Sequence, residues 1–463
     1  MIGSPAVSAR PAAGVDARSR PPAAWISRAL IYVSVAVAVG AQSSGYPAFV
    51  RLLANGRAIL DGAGPAGRFD ALSSTLYAVV ERAFGFGGVA AFSAFCAVAL
   101  LALVEAQAQA RGASELRALV AGAGAALLSI GTFRADVDSF SWMLAAAFGL
   151  ALVWEDARRP AVAILLAWAW ASSSWIGAAA PALALAAAFG RRGDRALLAV
   201  AAGSALAVFA TAAGLDLPRE ALAQLSFADP LSKVIAWEPN AIAPEAYRFG
   251  LVPLVVALAC LRLPRLADWP VVVVALFCAF ASGAALPLAG IAILPCLVPA
   301  AANGSQPAPA TSRSALSALG IALVCTLIAP ATADLRAKAG VPAAAPAPLL
   351  DALAALPAET SGRTVLCQPV NWCALVEALG RSDVRAFASD RIGGLDARRL
   401  ADQVMVAHVR PAWRSVLERN GIDTIVVGNR QGLAALLAMQ PDWRAAFRTE
   451  RVTLFVRAAR SAR

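Results

Sequence analysis

The chain has 463 residues, of which 59% are hydrophobic and 15% charged, with a mean hydropathy of +0.66. A soluble domain of this length does not need so much apolar surface, so a multi-spanning membrane protein is expected. The net charge of +11 is scattered as arginines through short loops. No basic patch interleaved with aromatics is present, which argues against a nucleic-acid partner and for membrane topology.

The first 23 residues are rich in Ala, Pro and Ser and carry Arg10, Arg18 and Arg20. They read as a disordered cytoplasmic tail. Arg28 inside the first apolar run, with no small-residue cleavage site after it, predicts an uncleaved span rather than a signal peptide. Apolar runs near the ~20-residue spanning length follow, about eleven in all, near 24–41, 84–104, 117–132, 139–154, 160–171, 174–190, 196–214, 247–262, 268–283, 285–301 and 314–330. They are continuous rather than alternating, which predicts helices and not a barrel.

The stretch 160–190 reads either as one tilted helix or as two spans turning in "AWAWASSSWIGAA". Loop charges favour the turn at Ser172–Ser174. With it, "EDARRP", "GRRGDR" and "RLPRLAD", which hold Arg158, Arg159, Arg191, Arg192, Arg195, Arg262 and Arg265, all fall on the cytoplasmic side. Eleven spans then leave the C-terminal region outside, which is the periplasm if the source is a Gram-negative bacterium.

The expected fold class is mainly α: a polytopic helical membrane bundle over 24–330 with a small extracytoplasmic α/β domain over 348–463. A Pro/Ala linker at 331–347 joins them. In the last domain "RTVLC", "DVRAFAS" and "DTIVVGN" read as strands. "WCALVEALG", "DARRLADQVMVAHV" and "QGLAALLAM" read as helices, and "RTERVTLFVR" as a final strand or hairpin. A further helix, "PAWRSVLERNG", is expected to open at Pro411 and close at Gly421.

Five cysteines lie in apolar runs as small packing residues. Cys367 and Cys373 bracket "QPVNW" and are either a small-loop disulfide in an oxidising compartment or two buried thiols. The single histidine, His408, lies in the last domain. That inventory excludes a His-rich metal site or a Ser-His-Asp triad in the membrane part.

Two long outer segments, 42–83 and 215–246, exceed what a connector needs. In the first, Phe49, Leu52, Leu53, Gly56 and Leu60 share one helical face with Arg51 opposite, the pattern of an interfacial helix. "ANGRAILDGAGPAGRFDALSST" then places Asn55-Gly56, Ile59-Leu60, Pro65 and Asp70-Ala71-Leu72-Ser73-Ser74-Thr75 in order.

That run, together with the order of one span, a long outer loop, many spans and an outer α/β domain, resembles the GT-C-type membrane glycosyltransferases. More narrowly, it is similar to a bacterial group of dolichyl-phosphate-mannose-mannosyltransferase-like proteins. "FRADVDSFSWML", through Arg134, is similar to an arginine-led segment of that group. "AWASSSW", through Trp170, is similar to a Trp-Ala-Asn-x-His turn, and "IAWEPN", through Trp237, to a Glu-Trp-x-x-Pro segment. In the last domain "VLCQPVNW", "RAFASDRI" and "WRSVLERNGIDTIVV" follow the group's order of strands.

The resemblance implies transfer of a sugar from a polyprenyl-phosphate carrier to an extracytoplasmic acceptor. It also implies a first-loop carboxylate as general base and cations holding the lipid phosphate. The chain departs from the pattern where it matters. The leading Asp falls on Ala48 and the loop His on Leu52, while the turn His becomes Ser174 and the Glu before Trp237 becomes Ala236.

Asp70 is therefore either a substitute base or the N-cap of the following helix. Asp61, before Gly62, is either a second candidate base or a turn residue. Arg134, Lys233, Trp237 and Glu238 are candidates for holding the phosphate and the substrate. Asp136 and Asp138 join them on the outer face, but a divalent cation there would need a third ligand such as Glu238, because acids two apart diverge. No other cofactor is expected.

The expected partners are the bilayer and a polyprenyl-phosphate-linked sugar, in a bacterial inner membrane with the N-terminus cytoplasmic. The alternative is a non-catalytic GT-C-like protein that binds lipid-linked glycan or scaffolds a partner enzyme. An ion-coupled transporter is disfavoured by the scarcity of mid-membrane acids and bases.

Overall fold

The computed structural model of the chain describes residues 22–42, 47–62, 69–129, 137–154, 158–224, 264–281, 285–297, 363–368, 372, 384–388, 397–450 and 452–458. The N-terminal tail, the linker and the apolar runs near 247–262 and 314–330 lie outside these residues.

The helical part begins with α1 (Pro22–Gln42), α2 (Pro47–Leu60), α3 (Ala71–Ala110), α4 (Glu115–Ser129) and α5 (Val137–Val153). It continues with α6 (Arg159–Ala171), a 3-10 turn (Trp175–Ala179), α7 (Ala180–Gly190), α8 (Arg195–Phe209) and α9 (Asp216–Gln224). Then come α10 (Trp269–Ala281) and α11 (Leu286–Ile293), the latter ending in a 3-10 turn at Leu294–Cys296.

The long α3 is two helices in series. Gly85, with φ 65°, breaks its hydrogen-bond ladder, and Gly87–Ala110 beyond it is long and apolar enough to cross a membrane. The other apolar helices among the described residues count 10–17 residues by the same measure. Leu127, Leu165, Phe189 and Leu206 remain exposed, Phe189 at 79%, which a helix bundle in water would seldom tolerate.

Packing is close because small residues line the crossings. A Cβ at Gly122 would sit 3.0 Å from Glu105 and 3.1 Å from the Leu101 carbonyl, so α4 lies tight on α3. Leu52 and Leu53 bury the inner face of α2 as its periodicity predicts, while Leu60, expected on that face, is exposed at the helix end.

The expected turn within 160–190 is present. The Ser173 and Ser174 N–H groups both donate to the Trp170 carbonyl, and the chain breaks at Ser172–Ser174 before the 3-10 turn. Gly177 packs back on Ala171, whose backbone N would be 2.4 Å from an added Cβ. Arg159, at the start of α6, reaches Asp194, the N-cap of α8, at 3.0 Å. The start of α6, the end of α7 and the start of α8 thus share one end of the bundle.

Arg265 joins that end by donating to the Arg111 carbonyl at 3.2 Å. Gly190 joins it too, with only 1.8 Å from a Cβ to the Ala267 carbonyl oxygen. The described arginines of the three loops therefore collect at one end, as the charge argument requires.

The C-terminal region is a five-stranded sheet of order β2-β1-β3-β5-β4. Its strands are β1 (Arg363–Gln368), β2 (Val384–Ala386), β3 (Ile422–Gly428), β4 (Trp443–Arg448) and β5 (Val452–Arg457). β1 runs parallel to β2 and β3, while β5 runs antiparallel to both β3 and β4. The element expected over 448–457 holds one strand, β5, which pairs in a hairpin with β4, a strand before that stretch that the sequence reading lacked. Thr449 closes the turn between them, its N–H donating to the Val452 carbonyl.

Helices α12 (Ala397–Ala407), α13 (Trp413–Arg419) and α14 (Gly432–Ala438) complete the region. Val406, Val416, Leu433 and Leu437 pack from them onto Leu366, Ile425 and Phe455 of the sheet. One boundary is corrected: α13 opens at Trp413 and not at Pro411, because Ala412 before it is left-handed at φ 77°. Gly421, at φ 60°, does end it as expected. The expected helix "WCALVEALG" lies largely outside the described residues.

Candidate functional site

The end of the bundle opposite the arginine loops carries the candidate site. The first turn of α3 docks there on the turn after α6. The Leu72 N–H donates to the Ser172 carbonyl at 3.0 Å, and the Ser73 hydroxyl to the Ser173 carbonyl at 2.9 Å. On the neighbouring α5, Ser141 accepts from the Trp170 indole at 3.0 Å. Ser73, Ser74, Ser139, Ser141, Ser173 and Ser174 are all buried at this end of the bundle.

Two polar atoms here lack hydrogen-bond partners, Ser74 Oγ and Trp142 Nε1. Buried polar groups are nearly always satisfied, so both mark this end of the bundle as unusual. Gly56 of α2 lies against the same turn. A Cβ there would meet the Ser74 carbonyl oxygen at 2.0 Å, so only glycine lets α2 seat on α3.

Asp70 holds the N-cap position of α3 but does not cap it. Its φ of −129° and ψ of 20° depart from the extended capping geometry, and its side chain makes no cap hydrogen bond. The Ser172 carbonyl takes the second N–H of the helix instead. The capping expectation is met in position and not in bonding. The residue is partly exposed.

Asp61 is placed differently. It follows α2 in a turn, its side chain is 65% exposed, and its carboxylate is 4.0 Å from Arg82. Arg57 and Glu81 pair beside it at 2.7 Å. Asp138 lies in the first turn of α5. Arg134, Asp136, Lys233, Trp237 and Glu238 lie outside the described residues, as does the cation site suggested for the acids among them. Cys367 is buried on β1, while Cys373 lies outside the described residues. His408 is held below its ordinary 6.5, first by partial burial and then by the charge of Arg410.

One buried acid escaped the sequence reading. Glu105, near the end of α3, accepts from Arg28 at 3.0 Å and from the Tyr32 hydroxyl at 2.8 Å. It follows the expected span 84–104 and reads there as a loop charge. The signal that would have found it is Arg28, a cation within an apolar run, which calls for a partner. Gln107 continues the buried helix by donating to the Ala146 carbonyl at 2.8 Å.

No family model and no curated protein sequence matches the chain. Among solved structures, the chain is similar to ArnT from Cupriavidus metallidurans bound to undecaprenyl phosphate, with 15% identity, TM-score 0.45, and 95% of this chain and 99% of that one covered. It is also similar to ArnT from Cupriavidus metallidurans in the apo state, with 14% identity, TM-score 0.43, and 95% and 98% covered.

Proposed function

We propose that the chain is an integral-membrane, GT-C-type glycosyltransferase that moves a sugar from a polyprenyl-phosphate carrier to an extracytoplasmic acceptor. The observation that supports this most is the docking of Leu72 and Ser73 on Ser172 and Ser173. It joins, at one end of the bundle, the two segments that resemble the family's first loop and its tryptophan turn. The arginine loops at the other end support a cytoplasmic assignment for that end and an outward one for the site.

In this mechanism Asp70 takes the proton of the acceptor hydroxyl as the carrier phosphate departs from the opposite face. Asp61 is the lesser candidate, because it is exposed and faces Arg82. Arg134, Lys233, Asp136, Asp138, Trp237 and Glu238 are assigned to the lipid phosphate and the sugar. Binding of lipid-linked glycan without turnover is the second reading, favoured by the alanine at position 48.

Membranes from cells expressing the full chain, supplied with labelled polyprenyl-phosphate sugars, test both. Transfer of label to a water-soluble or glycan acceptor supports the enzyme. Asp70→Asn should then lower the rate about 10²–10⁴-fold, the usual contribution of a general base, with Asp61→Asn near wild type. Retention of labelled lipid by the purified protein with no transfer supports the second reading.

A further inference from the structure

The end of the bundle away from the candidate site holds a cavity of about 30 Å³ where the C-terminal ends of α3, α5 and α7 meet the start of α10. Gln107, Arg111, Phe148, Leu152, Arg191 and Asp268 are among its walls. Its charged members do not balance. Arg111 lies 3.7 Å from Asp268, side chains 13% and 17% exposed, and its Nε is buried without a hydrogen-bond partner. Arg191, also on the wall, forms no ion pair with any described residue. Two guanidiniums thus share one carboxylate in a partly desolvated place.

Nearby cations do not relieve this. Arg159 is spent on Asp194 at 3.0 Å, and Arg265 donates to the Arg111 carbonyl. Burial, and then the charges of Arg111 and Arg159, push the Arg191 guanidinium below its ordinary value, against the smaller opposing pull of Asp268 and Asp194. A guanidinium so placed gains most from an added anion, and its planar fork suits an oxyanion.

We propose that this cavity binds a phosphate group, held between Arg111 and Arg191 with Asp268 setting the charge balance. Its volume takes a water or one edge of an oxyanion, so the rest of the phosphate lies at the mouth, where all three charged side chains are partly exposed. Phe148 and Leu152 form an apolar wall beside them. A free phosphate and a phospholipid headgroup present the same chemistry to this site, and it is separate from the candidate transferase site.

The test uses the full chain purified in detergent. Its thermal unfolding midpoint is followed against inorganic phosphate, with chloride at equal ionic strength as control. A saturable rise with phosphate alone is expected. Arg191→Gln should weaken it about tenfold or more, the usual worth of a hydrogen bond to a charged group. Asp268→Asn should strengthen it, an opposite sign that a folding defect would not produce.

In a second arm, phosphatidylglycerol and phosphatidylcholine are compared for retention through gel filtration. Phosphatidylglycerol retention lost in Arg191→Gln assigns the headgroup, whereas a phosphate response without retention assigns the free ion. No phosphate response in the wild type, or the same response in Arg191→Gln, overturns the proposal.

Discussion

Arg28 on α1 and Glu105 on α3 form a 3.0 Å ion pair inside the helical part, with side chains only 12% and 5% exposed. Tyr32 adds a hydrogen bond to the same carboxylate. The pair fastens the first helix to the longest one, and removing either partner alone leaves a buried charge. Arg28→Met or Glu105→Leu should each cost about 3–5 kcal/mol, whereas the double replacement should recover most of that. Unfolding midpoints of the four proteins in detergent check this, and an additive double variant would refute it.

Gly56 offers a sharper steric test. Its missing Cβ is what lets α2 rest on the Ser74 carbonyl. Gly56→Ala should therefore cost about 1–3 kcal/mol, as overpacking does, and should loosen α2 in hydrogen exchange. If the enzyme reading holds, the same substitution should also slow transfer, because the α2 seat adjoins the Asp70 turn.

Asp194 links pH to stability. Desolvation raises its pKa, but the hydrogen bonds from Arg159, Leu197 and Ala196 outweigh that and hold it below its ordinary 3.8. Its contribution is complete above the unfolded value and is lost as pH falls through the lowered one. Asp194→Asn should flatten the acid limb of a stability profile below about pH 4. Asp194→Ala should also lose the cap of α8, about 0.5–2 kcal/mol.

In the sheet region, Asp402 on α12 accepts from Arg419 at 2.9 Å and from Asn420 at 3.0 Å at the end of α13. Asp402 is buried, so its loss removes charge-assisted bonds worth about 1.5–3 kcal/mol each. Asp402→Ala in the full chain should speed hydrogen exchange in α13 and at the start of β3. The helices α1–α11 should be unaffected.

Periodicity and charge made much of this legible. The turn at Ser172–Ser174 followed from where the arginines had to lie, and the Arg159–Asp194 and Arg265–Arg111 contacts agree with it. β1, β2, β3 and β5 were readable as strands because apolar, mostly β-branched runs alternated with helical ones, whereas β4, WRAAFR, has no β-branched residue and was missed. The site was less legible. Asp70 looked like a cap because sequence shows position and not torsion, and Ser172 lies about 100 residues from Leu72, so its carbonyl could not be foreseen. Glu105 was missed because a charge at the end of an apolar run looks the same whether it meets solvent or Arg28.

Gly85 has a consequence in length. An unbroken helix of 40 residues, the extent of α3, would be about 60 Å long at 1.5 Å per residue. A bilayer's hydrocarbon core is about 30 Å thick. Such a rod would carry its first turns far out into water, away from the turn that receives them. The 24 residues from Gly87 to Ala110 come to about 36 Å, enough to span with modest tilt. One positive-φ torsion thus leaves a segment of spanning length after it and sets the preceding turns of α3 apart, so that its first turn docks at Ser172.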